Sequence, residues 1–347
     1  MALLWLEGFD SMGTTNGVAP APTGVLGRKS SAITGESGID IESGFISGTC
    51  LENGTSGDRV FVTPTLTTNT IMIAGGWFYF TNDMAAQSSG SYQNLICFNE
   101  TTNISLRLSQ TASGLMVFRG AASAAPQLAW TTRYKIPPVE WQFIEMKAYC
   151  HNSSGWVVVR VNGQVVITVN NVDTQNSTQG YYDRCRFSCF EVNTKMDHLY
   201  VADASGNTNN DFLGPIFISP IRPDGDVNNG FTSGGYADVD DAEDDSGTTN
   251  ASTNTSGADL EMSYGPTNNF ATILGVMQCS TVSTDANVNL QHTSNDGSTR
   301  VDTANFSVNS TNINSYTTKC TVWETDPTGN TWTPSTVNSN AFGIEMQ

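Results

Sequence analysis

The sequence predicts an all-β protein built in two β-rich blocks, and three observations carry that prediction. Asn162-Gly163 stands between the β-branched runs Val157, Val159, Val161 and Val165, Val166, Ile167, Val169. A pair of this kind marks a two-residue hairpin, because both residues accept the positive φ of a type I′ turn. In ISLRLSQ, Ile104, Leu106 and Leu108 alternate with Ser105, Arg107 and Ser109, the period of two of a strand with one buried face. Runs of this kind recur at intervals of about 8–12 residues between Gly, Asn, Ser and Pro breaks, and no long amphipathic helical pattern interrupts them. That is the spacing of a β-sandwich.

The elements follow in order. MALLWLEGFD opens the chain with a first strand over Ala2–Phe9; its apolar stretch is short and lacks the preceding basic region of a secretory signal. TNTIMIAGGWFYF (68–80), SYQNLICFN (91–99), TNISLRLSQ (102–110) and GLMVFRG (114–120) read as strands, and AWTTRYKIPP (129–138) as a loop. WQFIEMKAYC (141–150) leads into the Asn162-Gly163 hairpin. DHLYVADASGNTNNDFLGPIFI (197–218) reads as strand, loop and strand. Residues 1–222 thus suit a two-sheet jelly roll.

Composition then shifts. Residues 223–258 hold almost no aliphatic side chains, and the eight residues Asp238–Asp245 include six carboxylates. Such a segment buries too little apolar surface to offset its ordering entropy, so it reads as an extended acidic linker. Its apolar residues Phe231 and Tyr236 are the expected anchors on a neighbouring subunit. A second β-rich block, 259–347, contains ATILGVMQCSTV (271–282), ANVNLQHTS (286–294), TKCTVWETDP (318–327) and AFGIEMQ (341–347), and suits a smaller β-sandwich.

Charge excludes some functions. The 347 residues carry 33 acids against 15 bases, a formal charge of −18, whereas nucleic-acid binding needs clustered Lys and Arg. No run approaches the roughly 20 apolar residues of a membrane span. The seven cysteines show no metal-binding spacing with histidine. They read as buried reduced thiols, with Cys279–Cys320 the expected exception because both lie in strand-like segments of one block. The three histidines, His151, His198 and His292, sit in separate segments without a nucleophile elbow, and His198 is expected on the solvent side of its strand. Asp224, Asp226 and Asn228 set oxygen ligands at alternate positions, as calcium loops do, so calcium is the one cofactor the spacing allows. Asn229 and Gly235 at the sixth and twelfth positions exclude an EF-hand, and turn chemistry explains the same residues without a metal. Trp130 and Tyr134 are the aromatic pair expected to be exposed, as a sugar-stacking platform would be. The remaining large aromatics lie in strands and read as core.

The opening LWLEGFD, the 141–223 region with its VNG hairpin and DHLYVAD strand, and the closing WETDPTGNTWTPSTVNSNAFGIEMQ together resemble tailed-bacteriophage virion structural proteins. These carry a laminin-G/concanavalin-like jelly roll. The resemblance implies a protein made in the host cytoplasm and displayed on the virion exterior as a head decoration, collar, tail appendage or fibre. It would work by contact with other virion proteins and with copies of itself. It also implies, as an alternative, a carbohydrate-binding module recognising a host surface glycan and, as a third reading, a glycan depolymerase. Laminin-G-like folds sometimes bind calcium where Asp197, Asp203 and Asp211 fall. Hydrolases of this fold carry E-x-D-x-x-E on one strand. The nearest match, Asp238-Val-Asp240-Asp241-Ala-Glu243, begins with the wrong acid and lies in the acidic linker, so the chain is not expected to be an enzyme.

Overall fold

The computed structural model describes residues 2–10, 29–34, 38–46, 48–55, 59–81, 92–111, 114–121, 126–131, 136–189, 193–240, 250–267, 270–309 and 316–347. The chain divides into two compact units, Met1–Ser219 and Pro220–Gln347. The all-β class expected from the sequence is what both show.

The first unit begins with β1 (Leu3–Glu7), β2 (Ala32–Thr34), β3 (Ile39–Ser43), β4 (Thr49–Asn53), β5 (Arg59–Val62), β6 (Ile71–Tyr79) and β7 (Gln93–Glu100). It continues through β8 (Asn103–Thr111), β9 (Gly114–Arg119), β10 (Gln127–Thr131), β11 (Trp141–Tyr149), β12 (Gly155–Val161), β13 (Gln164–Val172), β14 (Arg184–Cys189) and β15 (Lys195–Asp203). One sheet runs β13-β12-β11-β6-β15-β4-β3 with β1 also on β15, and the other runs β10-β9-β8-β7-β14-β5-β2. The chain crosses repeatedly between the two sheets, which makes the unit a jelly-roll sandwich. The interior is apolar: Trp5 of β1 stacks on Phe61 and Phe187 of the opposing sheet at 5.2 and 6.1 Å.

The hairpin forms where the sequence placed it. Asn162 and Gly163 take φ of 49° and 79°, and Asn162 Oδ1 accepts the Phe143 N–H at 2.9 Å. Val157, Val159 and Val161 are buried between the sheets, while Trp156, Val158 and Arg160 alternate onto the other face. The loop reading of 129–138 needs correction, since Trp130 lies in the edge strand β10. Conversely, Gly214–Ser219 forms no strand; its Phe217 instead stacks against Trp77 and Phe45.

In the second unit β16 (Pro223–Asn229), β17 (Asp259–Tyr264), β18 (Val276–Val282), β19 (Asn287–Asn295), β20 (Arg300–Asp302), β21 (Phe306–Asn309), β22 (Thr317–Trp323) and β23 (Ala341–Met346) accompany a short helix α1 (Pro334–Ser339). The sheet β16-β17-β23-β19-β20, with β21 also on β19, is accompanied by a β18-β22 ribbon. The ribbon carries the expected Cys279–Cys320 disulfide between directly paired residues.

The expected linker is corrected in part. Residues Pro223–Asn229 pair with β17, because an edge strand needs only backbone partners and leaves polar side chains in water. Phe231 and Tyr236 pack on the cluster Leu260, Met262, Leu290, Val308 and Ile344 of their own unit, so the structure employs them within the chain. Residues 241–249, most of the acidic run, lie outside the described residues.

His292 is fully buried on β19, with Nδ1 2.7 Å from Thr321 Oγ1 and Nε2 3.1 Å from Ser280 Oγ. Burial pushes its imidazole down to about 4. Below pH 6.5 the unfolded chain takes a proton that the native ring refuses, so stability is complete above pH 6.5 and is lost as pH falls toward 4. The expected loss is about 3 kcal/mol. Thermal melts of wild type and His292→Gln across pH 4–7 check this: the wild-type profile falls with acid, and the variant profile is flatter.

Candidate functional site

The two sheets differ in what lies on their outer faces. On the eight-stranded sheet the segment 204–218 lies across the strands. Glu145 Oε1 accepts from Tyr200 Oη at 2.6 Å and from the Gly214 N–H at 3.0 Å. Lys147 pairs with Asp211 at 3.1 Å, and the Arg160 guanidinium lies 4.2 Å from the Phe212 ring centroid. Gly75 is required beneath this network, since a Cβ there would stand 2.6 Å from Tyr200 Cε1. Burial raises the Glu145 carboxyl above its ordinary range, against hydrogen bonds from Tyr200 and Gly214 that lower it. This polar cluster is occupied in docking the segment.

The same sheet explains His198. Beside a bulge between Asp197 and Tyr200 in β15, His198 takes φ 47°, its ring meets Phe217 edge-on at 5.6 Å, and only 4% of the residue is exposed. Its Nδ1 accepts the Ile218 N–H at 3.1 Å, and burial pushes the ring down to about 4. The solvent-side expectation is thereby corrected: a strict period of two fails across a bulge. Asp197 beside it accepts the Phe45 and His198 N–H groups. Burial pushes its carboxyl up to about 7, against those bonds.

The outer face of the seven-stranded sheet has a different composition. The row Phe61, Phe187, Ile96, Leu108, Val117 lies in register across β5, β14, β7, β8 and β9, and its Phe61 and Phe187 meet Trp5 between the sheets. The adjacent row, Val62, Arg186, Cys97, Arg107, Phe118, therefore points outward. Arg107 lies 4.7 Å from the Phe118 ring centroid and 5.4 Å from that of Tyr92, and the two rings meet edge-on at 5.0 Å. One residue pair further along the strands runs a second outward row, Asn94, Ser109, Met116, Trp130, in which Ser109 Oγ donates to Asn94 Oδ1 at 2.9 Å.

Exposure grades across this face. Arg107, Ser109 and Phe118 form a buried base, while Arg184, Arg186, Tyr92, Asn94 and Met116 are half-buried. Trp130 is 56% exposed at the edge. Ser188 Oγ, two residues from Arg186 and on the same side of β14, is buried without a hydrogen-bond partner, as is Asn99 Oδ1, paired across from Arg184. A flat indole, two further rings, guanidinium groups and side-chain amides form a surface suited to a polar ring-shaped ligand: rings stack on its apolar faces, and amides and guanidinium groups bond its oxygens.

The other expected residues do not gather. Tyr134 lies outside the described residues. Asp224 accepts from Ser263 Oγ at 2.6 Å, Asp226 from the Tyr236 N–H at 2.8 Å, and Asn228 donates to Asp259. Each is thus engaged separately: register shifts in β16 between Pro223 and Gly225 and between Asp226 and Asn228 break the alternation that would have aligned them. Among the described residues no three His, Cys, Asp or Glu side chains gather as a metal site. Asp238 Oδ2 accepts the Gly235 N–H at 3.0 Å and so holds the 3₁₀ turn Tyr236–Asp238; Glu243 lies outside the described residues. The arginine rows were missed in the sequence, where only the alternation around Arg107 was visible.

No family model matches the chain, and no curated protein matches it. Solved structures similar to it include the alginate lyase Aly36B, 11% identical with a TM-score of 0.37, covering 58% of this chain and 96% of that one. Domain 4 of AbnA, an extracellular arabinanase from Geobacillus stearothermophilus solved with arabinotriose, is 17% identical with a TM-score of 0.37, covering 58% of this chain and 93% of that one. A carbohydrate esterase of the Shiga toxin-encoding bacteriophage phi24B is 12% identical with a TM-score of 0.33, covering 47% of this chain and 86% of that one.

Proposed function

We propose that this protein is a carbohydrate-binding recognition module that engages a glycan on the outer face of its seven-stranded sheet. The observation that supports the reading is the outward row Asn94, Ser109, Met116, Trp130 beside Arg107, Tyr92 and Phe118. The setting we propose is the exterior of a tailed-phage particle, where the module contacts a host surface glycan while other surfaces contact virion proteins. The resemblance of the opening, central and closing segments supports that setting. Binding without turnover is the proposed mode: His198 and His292 are buried and neutral in hydrogen-bonded structural positions, and Glu145 serves to dock a loop.

The test is a glycan array probed with wild type and Trp130→Ala, with and without calcium. Wild type is expected to bind a defined subset of glycans equally under both conditions. Removing the indole is expected to weaken binding about tenfold or more with little change in melting temperature, because the side chain is largely exposed. Binding to no glycan would sink the reading and leave an architectural role on the particle.

A further inference from the structure

The segment 204–218 is held on the eight-stranded sheet at Glu145, Lys147 and Arg160. Two residues beyond Lys147, on the same face of β11, a further row runs across three strands: Tyr149, Trp156, Asn170. His151, just past β11, extends it. The Tyr149 ring lies 5.6 Å from that of His151, inclined by 30°, and 6.3 Å from that of Trp156, inclined by 34°. The three rings form a continuous shelf, each half-buried, with Asn170 exposed beside them and Thr168 exposed one row back.

Two features of the backbone build this corner. Asn171, at φ 57°, is an extra residue in β13 where the register shifts between Gly155 and Trp156, and a bulge re-aims the side chains beside it. Gly155 is required opposite, since a Cβ there would stand 2.7 Å from the Val172 carbonyl oxygen. The polar atoms of the corner are free. His151 Nδ1 accepts the Ser153 and Ser154 N–H groups at 3.1 and 2.9 Å, which leaves the ring proton on Nε2. That nitrogen, Trp156 Nε1, Tyr149 Oη and the side chains of Asn170 and Thr168 have no hydrogen-bond partner among the described residues. No charged side chain stands in the row, and its charged neighbours are matched, Lys147 with Asp211 at 3.1 Å and Asp173 with Arg119.

We infer that this corner is a second ligand site, separate from the seven-stranded face, and that it takes an uncharged glycan chain. The apolar faces of sugar rings stack on Trp156 and Tyr149, while hydroxyls, which both donate and accept, meet Trp156 Nε1, His151 Nε2 and the Asn170 amide. Electroneutrality sets the class. A carboxylated or sulfated sugar would bring its charge to a row that holds no cation to receive it, in a chain of net charge −18. Two such faces on one unit let it grip two stretches of glycan and gain avidity.

The experiment uses the full chain labelled with fluorotryptophan, its Trp156 and Trp130 resonances assigned from Trp156→Phe and Trp130→Phe. It is titrated with cellohexaose, maltohexaose, mannohexaose and xylohexaose, and with hexagalacturonate as the charged control. At least one neutral oligosaccharide is expected to shift the Trp156 resonance saturably, in Trp130→Ala as well, with an affinity that salt leaves unchanged. Asn170→Ala is expected to weaken that binding about tenfold with an unchanged melting curve, because the side chain is exposed. Trp156→Ala is expected to abolish it, and Asn170→Ala keeps the test decisive if loss of the half-buried indole unfolds the chain. A Trp156 resonance unmoved by every neutral oligosaccharide, full affinity in Asn170→Ala, or tighter binding of hexagalacturonate would overturn the inference. A shift of Trp130 alone would overturn it and leave the glycan reading of the seven-stranded face standing. A shift of Trp156 alone would uphold it and count against that reading.

Discussion

Breaking the Cys279–Cys320 bridge is expected to destabilise the C-terminal unit by about 4 kcal/mol. The bridge joins residues 41 apart in sequence, and the freedom a loop of that length would regain in the unfolded chain accounts for a figure of that size. The strands it ties form a two-stranded ribbon, an element marginal by itself in water. Gln278 of that ribbon donates to the Gly343 carbonyl, and Trp323 donates to Gln278 Oε1 at 3.1 Å, so loosening the ribbon loosens β23. Both cysteines are exposed, whereas the five thiols of the first unit are buried; burial and then Glu100 push the Cys150 thiol up to about 12. A reductant should therefore act on the second unit alone. Hydrogen exchange of Ala341–Met346 with and without reductant checks this: acceleration of about a thousandfold is expected, and unchanged exchange would contradict it.

Replacing Arg300 with methionine is expected to cost the same unit about 3 kcal/mol. Its guanidinium reaches Asp259 and Asp302 at 2.7 Å each, Glu261 at 3.5 Å, and also Glu345. Three of those carboxylates are largely buried by β17 and β23, the Glu261 side chain being 4% exposed. Methionine replaces the stem's packing but leaves four negative charges facing one another, and Asn295, which donates to Glu261 Oε2 at 3.0 Å, cannot neutralise them. Urea titrations of wild type and Arg300→Met at pH 7 measure the loss; an equal midpoint would contradict the account.

Much of the fold was legible because local chemistry dictated it. Asn162-Gly163 could only be a tight turn, the alternation of Ile104, Leu106 and Leu108 marked a strand, and Cys279 and Cys320 lay in segments that pair; the single buried face expected of that strand is corrected, since Ser105, Arg107 and Ser109 are buried as well. What escaped depended on partners distant in sequence. Pro223–Asn229 became a strand because Asp259–Tyr264 offered a backbone ladder, which its polar side chains do not announce. His198 is buried beside a bulge against Phe217, and the same kind of register shift separated Asp224, Asp226 and Asn228. In the candidate site, Trp130 stood out as a large aromatic near a proline-rich stretch. The arginines of β8 and β14 did not, because Arg107 and Arg186 meet only through β7, and that pairing exists in the topology rather than in either segment.

The central claim, that the seven-stranded face is where a glycan binds, is tested most directly by the methionine methyl resonances. Met116 is half-buried in the outward row beside Ser109 and Trp130, whereas Met72, Met146 and Met196 are fully buried within the eight-stranded sheet. Methyl spectra are recorded while a polymer found to bind is titrated to saturation. The expected result is a saturable shift of Met116 with those three unmoved; saturation that leaves Met116 unmoved would contradict the claim.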